Sequence, residues 1–172
     1  MSDVIVKMEG ISKAFAGIKA LDNVQIELRK GEVHALMGEN GAGKSTLMKI
    51  MTGVYTKDEG TMYLLNEDSG RMEEIEMKSP LMAQKEGLSM VFQELNLLEN
   101  MNIAENIFIG REPVGKSKFI NKEELNKRAS QELAKVKLDI RPDTPVSGLS
   151  CGQMQCVEIA KALSFQARVV VF

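Results

Sequence analysis

A glycine-rich segment in the first third of the chain carries the clearest chemical signal. Gly38–Ser45 reads GENGAGKS and fits the pattern GxxxxGK[ST], with an apolar run before it and a helical pattern after it. Glycine allows positive φ values and a close approach of the backbone to a ligand, so successive amides can form a nest for an anion. The segment therefore predicts a phosphate-binding loop, or P-loop, whose shape depends on Gly38, Gly41 and Gly43.

Side chains at the end of the P-loop supply a charge and a metal ligand. Lys44 offers a flexible point charge to the β- and γ-phosphates of a nucleotide, and the Ser45 hydroxyl can bind Mg²⁺. A helix that begins near Lys44 adds the positive end of its dipole. We therefore expect ATP and Mg²⁺ as cofactors. The predicted nucleotide-binding residues of this loop are Gly38, Glu39, Asn40, Gly41, Ala42, Gly43, Lys44, Ser45 and Thr46.

A second segment narrows the reaction, because kinases, GTPases, motors and transporters all use P-loops. Leu149–Gln153 (LSCGQ) opens a helical pattern about 100 residues after the P-loop and precedes the apolar run 169–172. Ser150 stands at or near the N-cap, where its hydroxyl and the first free amides can hold an anion. Any capped helix has this property, so the position in the chain is what makes the segment specific.

With these residues the chain resembles the ATP-binding cassette family. There the signature motif LSGGQ contacts the γ-phosphate of ATP held by the other cassette of a dimer. The resemblance implies nucleotide contacts for Ser150, Gly152 and Gln153. Cys151 departs from the small Gly or Val that is usual at its position.

Two further landmarks of that family fall in order along the chain. Phe15 matches the aromatic residue that stacks on adenine, the alternative being a phenylalanine of the core. Gln93, after the strand-like 88–92, matches the glutamine that senses Mg²⁺ and the γ-phosphate. The resemblance thus implies catalytic roles for Gln93 and Lys44, and Mg²⁺ binding by Ser45 and Gln93.

The resemblance is strongest to the carbohydrate-uptake branch, the ribose, galactose and xylose importers of bacteria. It implies an ATPase subunit that couples ATP binding and hydrolysis to sugar uptake. The implied partners are transmembrane permease subunits, a second cassette in the same parent chain or in a dimer, and indirectly a periplasmic or extracellular sugar-binding protein. The implied location is the cytoplasmic face of the membrane. The segments that carry this resemblance are 37–46, 93–95, 105–108, 110–112 and 158–164.

Composition agrees with a protein that binds neither nucleic acid nor the bilayer core. The 172 residues include 22 basic and 24 acidic ones, whereas nucleic-acid binding favours a strongly basic face. No apolar run approaches the roughly 20 residues of a membrane span, and the N-terminus lacks the apolar core of a secretory signal. We expect Cys151 and Cys156 to be reduced thiols, and His34 to be a packed strand residue rather than a ligand.

The alternation of strands and helices after residue 33 predicts an α/β fold: a P-loop NTPase core with a parallel sheet, an N-terminal antiparallel β part and a helical signature subdomain. The core would comprise 1–93 and 165–172, and the helical subdomain 94–164. Predicted strands are 4–8, 24–28, 33–37, 61–65, 88–92 and 169–172, with 33–37 buried on both faces. Predicted helices are 44–52, 80–85, 103–109, 122–137 and 152–164, with Ser79 and Asn121 as caps and Glu124 at a capping-box position.

The terminal run 169–172 predicts that the domain is incomplete, since a natural domain rarely stops on a central strand. The resemblance places the Mg²⁺-ordering aspartate and the water-polarising glutamate after Phe172. We therefore expect this stretch by itself to bind nucleotide weakly and to hydrolyse it very slowly.

Three other classes of protein stay open at this point. A cassette protein that acts on DNA or ribosomes would favour basic patches or coiled-coil insertions, and neither is visible. A small-molecule kinase would need a lid with arginines, and the signature helix argues against it. The last alternative is a folded interaction module without a ligand.

Overall fold

The computed structural model describes residues 4–92, 95–115 and 118–172. It divides the chain into two compact units, one up to Glu86 and the other from Gly87. The subdomain boundaries expected from the sequence, at 93/94 and 164/165, stay a prediction. The α/β class with an antiparallel and a parallel sheet is confirmed.

A four-stranded antiparallel sheet forms the first unit, in the order β2-β1-β3-β4. Its strands are β1 (Val4–Phe15), β2 (Ile18–Arg29), β3 (Glu59–Asn66) and β4 (Arg71–Glu74). The first two strands form a hairpin in which Phe15 pairs with Ile18. Both strands are longer than the sequence pattern predicts, and β4 was not predicted.

The turn of this hairpin is tight. Ala16 and Gly17 have φ values of 48° and 84°, and positive φ at both central residues is the geometry that two-residue hairpins favour. The turn lacks the Asn-Gly or Asp-Gly pair that would have marked it in the sequence, which is why the hairpin was missed.

The first unit also contains two helices. They are α1 (Lys44–Met51) and α2 (Pro80–Lys85). The start of α2 is as predicted, because the Ser79 hydroxyl accepts a hydrogen bond from the Met82 amide at 3.2 Å and proline occupies the first turn. The core of the unit includes Val6, Met8, Ile11, Leu21, Leu47, Met51, Met62 and Leu64.

The prediction of a buried strand at 33–37 is wrong. The segment has no strand assignment, and Val33 and Met37 are 98% and 87% exposed. A strand needs a neighbour for its backbone hydrogen bonds, and no strand among the described residues pairs with this segment. His34 is therefore not a packed strand residue; its Nδ1 lies 3.1 Å from Glu32 Oε1 at the surface.

The second unit combines a helical core with a pair of parallel strands. Its elements are β5 (Leu88–Met90), α3 (Ile103–Phe108), α4 (Lys122–Lys135), a 3₁₀ turn (Val146–Gly148), α5 (Cys151–Leu163) and β6 (Val169–Val171). β5 pairs in parallel with β6, so the predicted parallel pairing is confirmed. The core lies between α3, α4 and α5 and includes Ile103, Ile107, Leu125, Ala129, Leu133, Val146, Val157 and Ala160.

Polar side chains fix where the helices of this unit begin. Asn121 caps α4 as predicted, by accepting from the Glu124 amide at 3.1 Å. The Glu124 carboxylate does not complete a capping box; it binds Arg128 at 2.7 Å. Asn102, which was not predicted as a cap, forms a full capping box with Glu105 at the start of α3.

We expect Gly60→Ala to destabilise the first unit far more than Gly70→Ala. Both glycines have positive φ, but a β-carbon at residue 60 would lie 2.5 Å from the Glu9 and Gly10 carbonyl oxygens, whereas one at residue 70 has nothing within 4 Å. Strain at positive φ alone costs about 1 kcal/mol, and the collision at residue 60 raises the loss to about 3 kcal/mol. Urea unfolding of the two variants measures the difference, and equal losses would contradict this packing.

Candidate functional site

The P-loop presents its backbone in the form that an anion requires. Gly41 and Gly43 have φ values of 87° and 84°, and the Ala42 amide donates to the Glu39 carbonyl at 3.2 Å to close the turn. Gly43 is the N-cap of α1 and offers no side-chain acceptor to the amides of the first turn, which also contains no acidic residue. These amides form a donor set that fits a phosphate group.

Lys44 is held by the loop itself. Its Nζ donates to the Gly38 and Glu39 carbonyl oxygens, both at 2.7 Å. Because both acceptors are neutral, the bonds position the ammonium group over the loop and leave its charge available to an anion. Next in the helix, Ser45 is exposed and Thr46 half-buried. A hydroxyl and a cation beside free amides fit Mg²⁺ and a triphosphate.

The end of the loop sits directly on β2. A β-carbon at Gly43 would lie 2.5 Å from the Ala20 carbonyl oxygen and 2.6 Å from Leu21 Cδ2. Only glycine permits this approach, and its φ of 84° also favours glycine. The contact places the start of α1 against the strand that is paired with the end of β1, where Phe15 lies.

Phe15 is not a residue of the core, since 41% of it is exposed. Its ring packs edge-to-face on Tyr55, with ring centroids 5.2 Å apart and an interplanar angle of 65°, an arrangement that aromatic pairs prefer. Sequence reasoning did not predict a role for Tyr55 beside Phe15. The signal available in the sequence was the position of Tyr55 just after α1. The ammonium groups of Lys13 and Lys49 lie 5.6 Å from the Phe15 ring and 5.3 Å from the Tyr55 ring.

Asp58 ties the end of β1 to the segment after α1. Its Oδ1 accepts from Lys13 Nζ at 2.6 Å, and its Oδ2 accepts from the Ala14 amide at 2.8 Å. The Asp58 amide donates in turn to the Ser12 carbonyl at 3.0 Å. The hydrogen bond from Lys13, and next that from Ala14, lower the pKa of Asp58. The strand end that carries Phe15 is thereby fixed.

The signature segment begins α5 with a full capping box. Ser150 Oγ accepts from the Gln153 amide at 3.4 Å, and Gln153 Oε1 accepts from the Ser150 amide at 2.8 Å. Ser150, Cys151 and Gly152 are exposed, whereas Leu149 is buried. The Gln153 side chain is thus engaged in the cap, and the surface open to a ligand is formed by residues 150–152. Both cysteines are free thiols.

Arg111 holds the other end of the signature helix. Its guanidinium donates to the Ser164 carbonyl and hydroxyl oxygens at 3.1 and 2.8 Å and to the Ile107 carbonyl at 2.9 Å. It stacks on Phe165 with its central carbon 3.6 Å from the ring centroid. A cation at the C-terminal ends of α3 and α5 favours both helix dipoles. Desolvation lowers the pKa of Arg111.

Gln93 lies outside the described residues, so its predicted catalytic and metal roles stay a prediction. The P-loop and Phe15 belong to the first unit, and the signature belongs to the second. Among the described residues, no helix has the length and apolar character to cross a bilayer.

A family model described as ABC transporter matches residues 21–172. The chain belongs to the ABC transporter family. The shared fold agrees with solved members. A nucleotide-free ATP-binding cassette from an ABC transporter superimposes with a TM-score of 0.80 at 33% identity, over 97% of this chain and 67% of that one. A dimeric post-hydrolysis state of an ATP-binding cassette bound to ADP and Pi gives 0.74 at 27% identity, over 96% and 72%.

Curated relatives within the ABC transporter family carry import names. A putative ribose/galactose/methyl galactoside import ATP-binding protein 1 of Burkholderia lata is 48% identical over 168 residues, which are 97% of this chain and 32% of the relative. The ribose import ATP-binding protein RbsA of Clostridium perfringens is 49% identical over 170 residues, 97% and 32%. The chain thus spans about a third of the length of these relatives.

We expect the hydrogen bonds by which the Asp58 carboxylate ties β1 to the segment after α1 to depend on pH. Its pKa is lowered in the folded chain, so the tie is fully present above the unfolded pKa and is lost as the pH falls through the folded one. The Ala14 amide resonance should shift with a midpoint below the ordinary aspartate pKa, and Lys13→Met should move that midpoint upward. The same midpoint in both proteins would contradict the assignment of Lys13 as the main cause.

Proposed function

We propose that this chain is part of the ATP-binding subunit of an ABC importer for sugars. The observation that carries the proposal is the arrangement at the start of α1, where a lysine held by neutral carbonyls and a set of uncapped amides sit on the strand next to Phe15. The amides and the lysine form a donor set for a triphosphate, and an exposed aromatic ring, that of Phe15, lies in the same unit. The family match supports the same reading.

In this proposal the P-loop residues 38–46 bind the phosphates of ATP, with Lys44 between the β- and γ-phosphates and Ser45 as a ligand of Mg²⁺. Phe15 stacks on the adenine, and Tyr55 supports the Phe15 ring from its edge. Phosphoryl transfer depends mainly on positioning and charge neutralisation, which the amides, Lys44 and Mg²⁺ supply. Gln93 is proposed to sense the γ-phosphate and Mg²⁺.

The signature residues complete a second ATP site. Ser150 and Gly152 expose a hydroxyl and a helix start, and we propose that they contact the γ-phosphate of ATP held by another cassette. A solved relative that is dimeric and holds ADP and Pi supports such an arrangement. The second cassette belongs to the same parent chain or to a dimer partner.

The import of sugars is supported by the names of the relatives, which cover ribose, galactose and methyl galactoside. The proposed partners are membrane permease subunits, with a sugar-binding protein as an indirect one, and the proposed location is the cytoplasmic face of the membrane. These names favour import over a cassette acting on DNA or ribosomes and over a small-molecule kinase.

Lys44→Ala should weaken the binding of both Mg·ATP and inorganic tripolyphosphate. The loss of charge-assisted hydrogen bonds to phosphate oxygens corresponds to about tenfold to hundredfold in Kd. Isothermal titration measures it. Lys78→Ala is the matched control, because Lys78 is an exposed lysine of the same unit that pairs only with Glu76 among the described residues. Equal Kd values for the natural chain and Lys44→Ala would favour an interaction module without a nucleotide site.

Phe15→Ala should weaken Mg·ATP about tenfold, because base–aromatic stacking is lost, and should leave tripolyphosphate binding unchanged. Tyr55→Ala should weaken Mg·ATP by a smaller factor, while Tyr55→Phe, which keeps the ring edge, should match the natural chain. The same titrations with the two probes separate the adenine contact from the phosphate contact. A loss of tripolyphosphate binding in Phe15→Ala would show that the variant disturbs the P-loop and would contradict the adenine role.

A further inference from the structure

A short hairpin at 113–121 joins α3 to α4, and we call it the α3–α4 hairpin. The Gly115 amide donates to the Phe119 carbonyl at 2.8 Å. At the base of the hairpin the Asn121 amide donates to the Pro113 carbonyl, also at 2.8 Å. Asn121 is in addition the cap of α4. The hairpin is therefore tied to the start of that helix.

Large apolar side chains of the α3–α4 hairpin lie in contact with solvent. Phe119 is 77% exposed, Val114 62% and Ile120 51%. Val114 and Ile120 are paired across an antiparallel bridge, so their side chains share one face of the hairpin. Phe119 precedes Ile120 in the chain, and alternation places its ring on the opposite face. Apolar groups on both faces suit a medium that surrounds the hairpin better than a partner that covers one side of it.

Positive charge is concentrated around these apolar side chains. The sequence from 113 to 122 contains three lysines and no acidic residue. The lysines are Lys116, which lies outside the described residues, Lys118 and Lys122. Lys118 and Lys122 are exposed. The nearest acidic residues in the chain, Glu112 and Glu123, stand just outside this stretch. The hairpin thus combines a basic charge with an exposed aromatic ring and two aliphatic side chains.

We propose that the α3–α4 hairpin binds the surface of an anionic phospholipid membrane. Phe119, Val114 and Ile120 enter the headgroup region, where aromatic and aliphatic side chains leave water without having to span the bilayer. Lysines beside them keep their ammonium groups at the lipid phosphates and lay their aliphatic stems along the apolar surface. The inference rests on the membrane location that is part of the proposed function. It adds a direct lipid contact to the proposed attachment through permease subunits.

Vesicle co-sedimentation of the full-length protein, without its membrane subunits, tests the proposal. We expect binding to phosphatidylcholine vesicles that contain about one third phosphatidylglycerol, and little binding to phosphatidylcholine alone. Phe119→Ser should weaken binding about tenfold to hundredfold, because the burial of the ring is lost. Phe119→Trp should keep binding within about threefold, since tryptophan suits the membrane interface. Lys118→Ala should weaken binding about fivefold, and added salt should weaken it further.

The matched control is Leu81→Ser. Leu81 is an apolar residue of α2 in the first unit and is 62% exposed. Its replacement removes a comparable exposed side chain away from the hairpin and should leave vesicle binding within about twofold of the natural value. Because Phe119 and Leu81 are both exposed, both variants should keep the unfolding temperature of the natural protein, which is measured alongside.

Equal vesicle binding by Phe119→Ser and Leu81→Ser would overturn the inference, as would equal binding of the natural protein to neutral and anionic vesicles. If Phe119→Ser binds vesicles normally but no longer assembles with the membrane subunits, the hairpin contacts a protein and the inference is likewise wrong. Failure of the natural protein to bind Mg·ATP would instead overturn the proposed function. Nucleotide titration and vesicle binding are separate measurements, so the two failures are distinguishable.

Discussion

The proposed phosphate site depends on the contact between Gly43 and β2. A β-carbon at residue 43 would lie 2.5 Å from the Ala20 carbonyl oxygen, inside any permitted contact distance. This contact fixes the start of α1, and the start of α1 fixes the direction of its free amides. Since β2 is the hairpin partner of β1, the same contact places the loop beside the strand end that carries Phe15. The close packing of the backbone at Gly43 therefore sets the position of the proposed site.

The second unit is organised by hydrogen bonds to helix termini and loops. Asn102 and Ser150 start α3 and α5 with capping boxes, and Arg111 binds the carbonyl groups at their C-terminal ends. Both ends of the signature helix are therefore held by hydrogen bonds within the second unit. In its middle, Glu158 accepts a hydrogen bond from the Asn96 amide at 2.7 Å.

Sequence reasoning succeeded where the determinant is local. The helix starts at Ser79, Asn121 and Ser150 were predicted because a cap acts within three residues. The run 33–37 was read wrongly because its composition suits a buried strand, whereas strand formation depends on a partner elsewhere in the chain.

The site shows the same division between local and distant determinants. The P-loop was predicted from a local pattern, the motif GxxxxGK[ST]. Tyr55 beside Phe15 and Asp58 beside Lys13 were missed, because these contacts join positions about 40 residues apart. The Glu158–Asn96 contact spans 62 residues, and no periodicity or spacing encodes it. Gln93 and the signature roles beyond the cap came from family resemblance alone.

The most direct test of the account is a crystal structure of the full-length protein with Mg²⁺ and a non-hydrolysable ATP analogue. The account predicts that the triphosphate lies on the amides of residues 39–46 with Lys44 Nζ at its β- and γ-phosphates, and that the adenine lies on the Phe15 ring. It also predicts Ser150 against the γ-phosphate of a second nucleotide. Nucleotide bound away from Gly38–Thr46, or an empty P-loop beside an occupied site elsewhere, would contradict it.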